Sequence, residues 1–252
     1  MNENPYTAPE AEPAIKTASH QGELTSPYGA YRNVGLWRYL ILSLLGLGII
    51  LSGLQIKTLL SLNHANSLAE EDFLFDESVD QFADTSGQVG QIQGIILLIT
   101  VVIWCFWKNK SCKNAWLFQS ATLASRMTRM LPSHKNVTPG WAVGSYFIPI
   151  LNLWKPYQAV VFIREQVSEK THMGFLVGLW WTAWLVTNVS SNYFYRNEAD
   201  EFYSTAEAIS YNNGIIIDEI ISVVASILAA AVIQKLTTGQ ERMASDYGLV
   251  PD

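Results

Sequence analysis

The residue types that most often carry catalysis are present in this sequence, but their spacing matches no catalytic or metal-binding pattern. No HExxH motif and no paired-cysteine spacing occurs. There is also no glycine-rich phosphate loop and no GxSxG nucleophile turn. We therefore predict a protein that is not an enzyme and that uses no metal or cofactor. The scattered candidates are His20, His64, His134, His172, Cys105 and Cys112.

Two acidic residues stand inside an otherwise apolar stretch. Asp218 and Glu219 interrupt residues 214–234. Carboxylates inside a membrane often mark an ion or proton path, whereas acids close to the water interface are simply solvated, and both interpretations stay open. Asn188 and Asn192 share one helical face of another apolar run. They predict either hydrogen bonds between helices or a polar cavity.

The most distinctive stretch is WAVGSYFIPILNLWKPYQAV, at residues 141–160. Pro149 and Pro156 flank Asn152, and because proline lacks an N–H it breaks a helix and leaves backbone groups unpaired. We predict that the Asn152 amide bonds these groups, since it can donate and accept. A rigid turn at the membrane surface and a transporter-like binding site both stay open. The candidate site residues are Trp141, Gly144, Pro149, Asn152, Trp154, Lys155 and Pro156.

The composition indicates a membrane protein. Of the 252 residues, 49% are hydrophobic and only 15% are charged, whereas a soluble domain carries about 25% charged residues. Four apolar runs approach the length that a helix needs to cross a bilayer core of about 30 Å. We predict an all-α polytopic fold with spans at about 37–60, 86–107, 173–195 and 214–236. The net charge of −6 disfavours nucleic acid as a partner.

A fifth uncharged run, residues 137–154, is also long enough to cross but contains Pro139 and Pro149. Charge placement argues against a crossing, because cytoplasmic loops are rich in Lys and Arg. If residues 137–163 stay on one side, 14 of the 16 basic residues are cytoplasmic. We therefore predict that this segment is a re-entrant or interfacial helix–break–helix, with a single bent span as the alternative.

The same charge asymmetry predicts the orientation. Residues 63–88 carry seven acidic and no basic residues, while residues 108–172 carry nine basic and two acidic ones. We expect a multi-pass protein of the bacterial inner membrane with both termini in the cytoplasm. Residues 1–35 predict a disordered cytoplasmic tail, since they lack an apolar period. The helical membrane domain then covers residues 36–238, and residues 239–252 form a second cytoplasmic tail.

The basic segment predicts contacts with anionic lipid headgroups. Residues 114–131 have apolar residues at helical spacing, which indicates either a helix on the membrane surface or a helix packed on other cytoplasmic segments. The predicted lipid contacts are Lys108, Lys110, Lys113, Arg126, Arg129 and Lys135. Tryptophans near the cytoplasmic ends of two spans predict an interfacial aromatic belt, formed by Trp104, Trp107, Trp180, Trp181 and Trp184.

The stretch around the prolines resembles a bacterial integral-membrane family called domain of unknown function 4328. That family has a Pro-x-x-Asn-Leu-Trp-x-Pro core after a Trp-Ala-Val-Gly segment, and these correspond to residues 149–156 and 141–144 here. The resemblance covers roughly residues 36–236 and implies a helical membrane protein, but it implies no activity. Weaker points of resemblance are Trp107, Lys108, Lys110, Asn114, Trp180 and Trp181.

The leading functional hypothesis is a non-enzymatic scaffold that binds lipids or proteins through a basic cytoplasmic face. The alternative is a small transporter or channel with its site at the broken helix around Pro149, Asn152 and Pro156. Membrane lipids, above all anionic ones, are the expected partner. Homo-oligomerisation and a membrane-protein partner stay open.

Overall fold

The computed structural model describes residues 26–72, 77–125, 137–167, 171–196 and 204–249, and these residues contain helices but no β-strand. The helices are α1 (Gly35–Asp72), α2 (Glu77–Ser125), α3 (Pro139–Gly144), α4 (Lys155–Val167), α5 (Thr171–Arg196) and α6 (Thr205–Asp246). Two short 3-10 turns, Ser145–Phe147 and Leu151–Leu153, connect α3 to α4. The predicted all-α fold is confirmed.

Three helices, α1, α2 and α6, are long and apolar enough to cross a membrane. The 38 residues of α1 make it about 57 Å long, which exceeds the roughly 30 Å bilayer core. The 26-residue α5 is not among the three, because its tryptophans and asparagines lower its mean hydropathy. Three of the four predicted spans therefore meet the criterion for a membrane span.

The long helices alternate in direction. Arg38 of α1 pairs with Glu241 of α6, and Asn63 farther along α1 bonds Asn213 earlier in α6, so these two helices are antiparallel. Helix α1 is antiparallel to α2, because Trp37 contacts Phe106 while Gln55 bonds Ser86. Helix α5 is antiparallel to α6, because Ser191 bonds Asp218 while Phe194 contacts Tyr211. Helix α1 packs against both α2 and α6, and α6 also packs against α5. The start of α1, the end of α2, the start of α5 and the end of α6 therefore lie at one end of the bundle.

Residues 137–167, the proline-broken element, cover that end of the bundle. Helix α4 contacts α2, α5 and α6, and α3 contacts α2. We call this the capped end (residues 26–38, 104–125, 137–167, 171–184 and 232–249) and the opposite part the far end (residues 52–72, 77–93, 188–196 and 204–219). The largest fully buried side chains concentrate at the capped end and include Trp107, Lys108, Leu117, Phe118, Phe162, Ile163, Ile233, Leu236 and Gln240.

Helix α2 differs from the prediction of a span followed by a separate helix. It continues unbroken to residue 125, so most of the predicted helix 114–131 is its end. The Trp116 ring lies 5.7 Å from that of Tyr28 and 5.6 Å from that of Phe162, measured between centroids. The segment therefore packs on neighbouring segments, which was one of the two alternatives. Residues 126–131 lie outside the described residues.

Both tail boundaries also differ from the prediction. At the N-terminal side, Tyr31 and Val34 are buried, so the last part of the predicted tail 1–35 packs on the bundle; residues 1–25 lie outside the described residues. At the other side, α6 continues to residue 246, beyond the expected boundary at 238. It continues because Gln240 and Ala244 are buried in the capped end.

Candidate functional site

Each break in the proline-broken element has a local cause. The Thr138 hydroxyl caps α3 by accepting from the Trp141 N–H at 3.3 Å, and Pro139 follows in the first turn, where no backbone donor is needed. Ile148 is extended, with φ −111° and ψ 110°, as steric contact with a following proline favours. Helix α4 then begins with Pro156 in its first turn. Pro139 and Pro156 therefore lie in the first turns of helices, while Pro149 lies in the turn between the two 3-10 segments.

A buried lysine joins this element to α2. Lys108 is 0% exposed, and its ammonium donates to the Tyr146 hydroxyl at 2.8 Å and to the Pro156 carbonyl at 2.9 Å. The ammonium also lies 4.4 Å from the Tyr146 ring centroid. No carboxylate in the described ranges pairs with it. Because an uncompensated buried charge costs several kcal/mol, these neutral acceptors are what allows Lys108 to stay inside.

An aromatic cluster surrounds the Lys108 contact. The Trp104 indole N–H donates to the same Tyr146 hydroxyl at 3.0 Å. Three of the tryptophans predicted to form an interfacial belt are only 0%, 3% and 7% exposed, namely Trp107, Trp180 and Trp181. They pack in the core because α2 and α5 both contact the proline-broken element at this height of the bundle. The closest ring pairs, with centroids 4.6 to 5.4 Å apart, are Trp181–Trp184, Trp104–Trp107 and Trp104–Trp180.

Backbone carbonyls of the proline-broken element accept from side chains of other helices. The Trp181 indole donates to the Leu153 carbonyl at 3.2 Å, as Lys108 does to that of Pro156. The bonds predicted from the Asn152 side chain are absent from the described contacts, and its side-chain oxygen is buried without a hydrogen-bond partner there. The reason is geometric, since long side chains from α2 and α5 reach the short element directly.

The other side of the element is apolar and exposed. Phe147 is 74% exposed and Ile150 is 69% exposed, although both are large apolar side chains. An exposed apolar patch of this kind marks a surface that contacts lipid or another protein. We call this patch the apolar tip, and it consists of Trp141, Phe147, Ile148, Ile150, Leu153 and Trp154.

The remaining candidate site residues do not converge on one point. Pro149 is exposed beside the apolar tip, Lys155 is part-exposed, and Pro156 is buried against Lys108. A Cβ added at Gly144 would meet no atom within 4 Å, so packing does not require glycine there. The structure therefore divides the motif between an anchored side and an exposed side.

A second polar contact joins the N-terminal segment, α2 and α6. Asn114 is 0% exposed; its side-chain oxygen accepts from the Arg32 N–H at 2.9 Å, and its amide donates to the Arg32 carbonyl at 2.8 Å and to Gln240 Oε1 at 3.1 Å. This role was not predicted from the sequence. The signal that could have predicted it is one polar residue at helical spacing from Trp107 and Phe118, on an apolar face.

The predicted lipid contacts have different environments. Lys108 does not face lipid, because Tyr146 and Pro156 provide its acceptors inside the bundle. Lys110 is part-exposed with its ammonium 5.1 Å from the Trp37 ring centroid, and Lys113 is part-exposed as well. The other three predicted contacts, Arg126, Arg129 and Lys135, lie outside the described residues.

The two acids of the far end bond to neighbouring helices. Both Glu219 carboxylate oxygens accept from Gln93 Nε2 at 3.2 Å. Asp218 accepts from the Ser191 hydroxyl at 2.7 Å and also from Ser190. Since both acids are part-buried, they link helices and are not simply solvated.

The two asparagines of α5 behave differently from either prediction. Asn188 donates to the Trp184 carbonyl and Asn192 donates to the Asn188 carbonyl, each at 2.7 Å and within their own helix. Both are exposed. They bond within α5 because the backbone carbonyl one turn earlier lies within reach of each side chain.

Within the part of the chain that the structure describes, no group of three or more His, Cys, Asp or Glu side chains could hold a metal ion. Cys105 and Cys112 are both free thiols. A family model described as "Domain of unknown function (DUF4328)" matches residues 74–238, which include the whole proline-broken element. No curated protein and no solved structure matches the chain.

Proposed function

Because the chain belongs to the DUF4328 family, whose description assigns no activity, we propose its function from the site itself. The protein is a non-enzymatic membrane scaffold with four spans, located in the bacterial inner membrane, that binds anionic lipids and membrane-protein partners at its capped end. The observation that supports this most directly is an exposed apolar tip on an element whose other side is bonded into the bundle.

The apolar tip has the properties of a membrane-inserting surface. Burying one large apolar side chain contributes roughly 1.5–3 kcal/mol, and the apolar tip contains six exposed ones. The bonds of Lys108 and Trp181 hold the element in place before insertion, so little ordering entropy is lost when the tip enters lipid. Insertion at the interface is therefore favoured over exposure to water.

Basic residues at the capped end support the choice of anionic lipid. Lys155 precedes the buried Pro156, and Lys110 and Lys113 follow Lys108 within about one and a half helical turns. All three lysines are part-exposed. A basic residue near an anionic leaflet contributes about 1 kcal/mol.

Spin labels at single cysteines test the position of the tip. In a full-length Cys105→Ser, Cys112→Ser background, Phe147→Cys and Ile150→Cys would carry the label in liposomes. We expect both labels to be accessible to oxygen and protected from a water-soluble nickel relaxant. Ser245→Cys, an exposed position of α6 at the capped end, is the control that should show the reverse. Labels at Phe147 and Ile150 that resemble the control would contradict the proposal.

Charge reversal tests the lipid class. Lys113→Glu should reduce the phosphatidylglycerol and cardiolipin that remain bound to the full-length protein in native mass spectrometry. Lys57→Glu makes the same charge change on α1, away from the capped end, and should leave retention unchanged. Equal losses in the two variants would show that only net charge matters.

The proposed fourth span is α5. It is antiparallel to α6, and both described ends of the chain lie at the capped end. An even number of crossings, such as four, returns the chain to the side on which it started. Reporter fusions after Ala69 and Glu201 should read as external, whereas fusions after Lys113, Lys170 and the C-terminus should read as cytoplasmic. An external signal after Lys170 would contradict the four-span proposal.

A small transporter or channel is the second candidate, and one observation favours it. The Asn152 side-chain oxygen is buried without a partner among the described residues, so a donor group of a substrate could pair with it. In that case Asn152→Leu should abolish uptake in whole cells while leaving the thermal stability of the protein unchanged, with Leu151→Met as the control.

A further inference from the structure

A carboxylate lies where three membrane-type helices meet, away from the capped end. Glu219 of α6 accepts from Gln93 of α2, and the same Gln93 Nε2 lies 3.4 Å from Ser52 Oγ of α1. Ser52 is only 6% exposed. Helices α1, α2 and α6 are the three that are apolar enough to cross a membrane. The Glu219 carboxylate is therefore placed inside the bundle and not on a loop.

The surroundings of this carboxylate are polar but carry no compensating charge. Among the described side chains, no basic group lies within 4.0 Å of it. The neighbouring acid, Asp218, is bonded to hydroxyls of α5 instead. The charged residues of α1 and α2 nearest in sequence to the contact are Lys57 and Asp84, and both are exposed. A carboxylate in this setting favours a state in which its charge is neutralised.

The neighbouring side chains can accommodate either charge state. An ionised Glu219 accepts from the Gln93 amide, as observed. When a proton binds one carboxylate oxygen, that oxygen becomes a donor, and the Gln93 carbonyl or the Ser52 hydroxyl can accept from it after the amide turns. Gln55, three residues from Ser52, is 5% exposed and has a buried oxygen without a partner in the described structure. This oxygen is an unused acceptor about one helical turn along α1 from Ser52.

We propose that Glu219, together with Gln93 and Ser52, forms a proton-binding site. A proton from water binds a carboxylate oxygen and is released again from the same atom, with no other bond formed or broken. Binding replaces one amide-to-carboxylate bond with a bond donated by Glu219, so the contact of α6 with α1 and α2 changes with pH. This proposal concerns the far end and does not depend on lipid binding at the capped end.

Infrared difference spectroscopy of the full-length protein in nanodiscs tests the site. Subtracting the spectrum of Glu219→Gln from that of the parent protein cancels the bands of the other Asp and Glu side chains and should leave one carboxylic acid C=O band that disappears as the pH rises. Asp218→Asn, the same change at the adjacent residue, should retain this band. A parent spectrum identical to that of Glu219→Gln at every pH would overturn the proposal.

A second variant keeps Glu219 and therefore tests the site even if Glu219→Gln misfolds. Gln93→Leu removes the donor that stabilises the ionised carboxylate, so the band should titrate at a pH higher by about one unit or more. Gln91→Leu, at an exposed position of the same helix, should leave the titration unchanged. An unchanged titration in Gln93→Leu would also overturn the proposal.

Discussion

The capped end and the far end satisfy their polar groups in different ways. At the capped end, side chains of the long helices bond mostly to backbone groups of the N-terminal segment and the proline-broken element, including the carbonyls of Pro156, Leu153, Val137 and Arg32. At the far end, side chains bond to side chains of neighbouring helices, in the pairs Asn63–Asn212, Asn63–Asn213, Gln55–Ser86 and Gln93–Glu219.

The difference follows from backbone hydrogen bonding. A regular helix pairs nearly all of its own N–H and C=O groups, so helices meeting at the far end need only fit side chains together. A segment broken by prolines pairs only some of its own groups, and where protein buries the rest, water does not replace the missing partners. The capped end therefore recruits Lys, Trp and Asn donors from distant parts of the chain, and we expect it to be the more sensitive end.

The largest effect should come from Asn114. Asn114→Leu removes the three hydrogen bonds of a fully buried side chain and leaves the Arg32 peptide and Gln240 without their partner. We expect a loss of about 3–4 kcal/mol in the free energy of unfolding, measured by denaturant titration in detergent. Asn109→Leu, the same change where only one part-buried bond is lost, should cost about 1 kcal/mol. Equal costs for the two variants would show that the hydrogen bonds of Asn114 stabilise the protein no more than the single bond of Asn109.

Tyr146 should come next. Tyr146→Phe keeps the ring under the Lys108 ammonium but removes the hydroxyl that accepts from both Lys108 and Trp104. We expect destabilisation of about 2–3 kcal/mol, seen as a lower midpoint of thermal unfolding. Tyr157→Phe deletes a hydroxyl from a tyrosine of the same element that packs on Trp181, and it should cost less than 1 kcal/mol. If both variants unfold alike, the Lys108 contact does not anchor the element.

At the far end, a comparable asparagine should matter less. Asn63→Ala removes an acceptor for Asn212 and a donor to Asn213, but the site is part-exposed, so water can replace these bonds. We expect a cost of about 1 kcal/mol, with Asn66→Ala on the same helix as the control. A cost as large as that of Asn114→Leu would show that the two ends do not differ in sensitivity.

The smallest effect is expected for Asn152, the residue at the centre of the proline motif. Asn152→Leu removes a buried oxygen that has no partner among the described residues, so the stability should change by no more than about 0.5 kcal/mol. Leu151→Met should be equally mild. A cost of about 2 kcal/mol or more would mean that Asn152 makes a bond that the described contacts do not include.

Much of the architecture follows from the sequence alone. Runs of apolar residues determine where α1, α2, α5 and α6 lie, because burying a long apolar helix requires lipid or other helices. The prolines at 139, 149 and 156 influence where residues 137–167 break, because proline has no N–H and disfavours the helical conformation at the preceding residue. These are local effects, and they do not depend on what the segment touches.

The tertiary structure decides which polar residues are structural. Lys108 resembles a lipid-facing lysine by type and position, yet it is buried because Tyr146 and Pro156, 38 and 48 residues away, supply acceptors. Asn152 lies at the centre of the motif, yet the bonds expected of it are made by Trp181 and Lys108. Burial of a polar group is favourable only when distant partners reach it in space, and no local pattern of residues specifies that meeting.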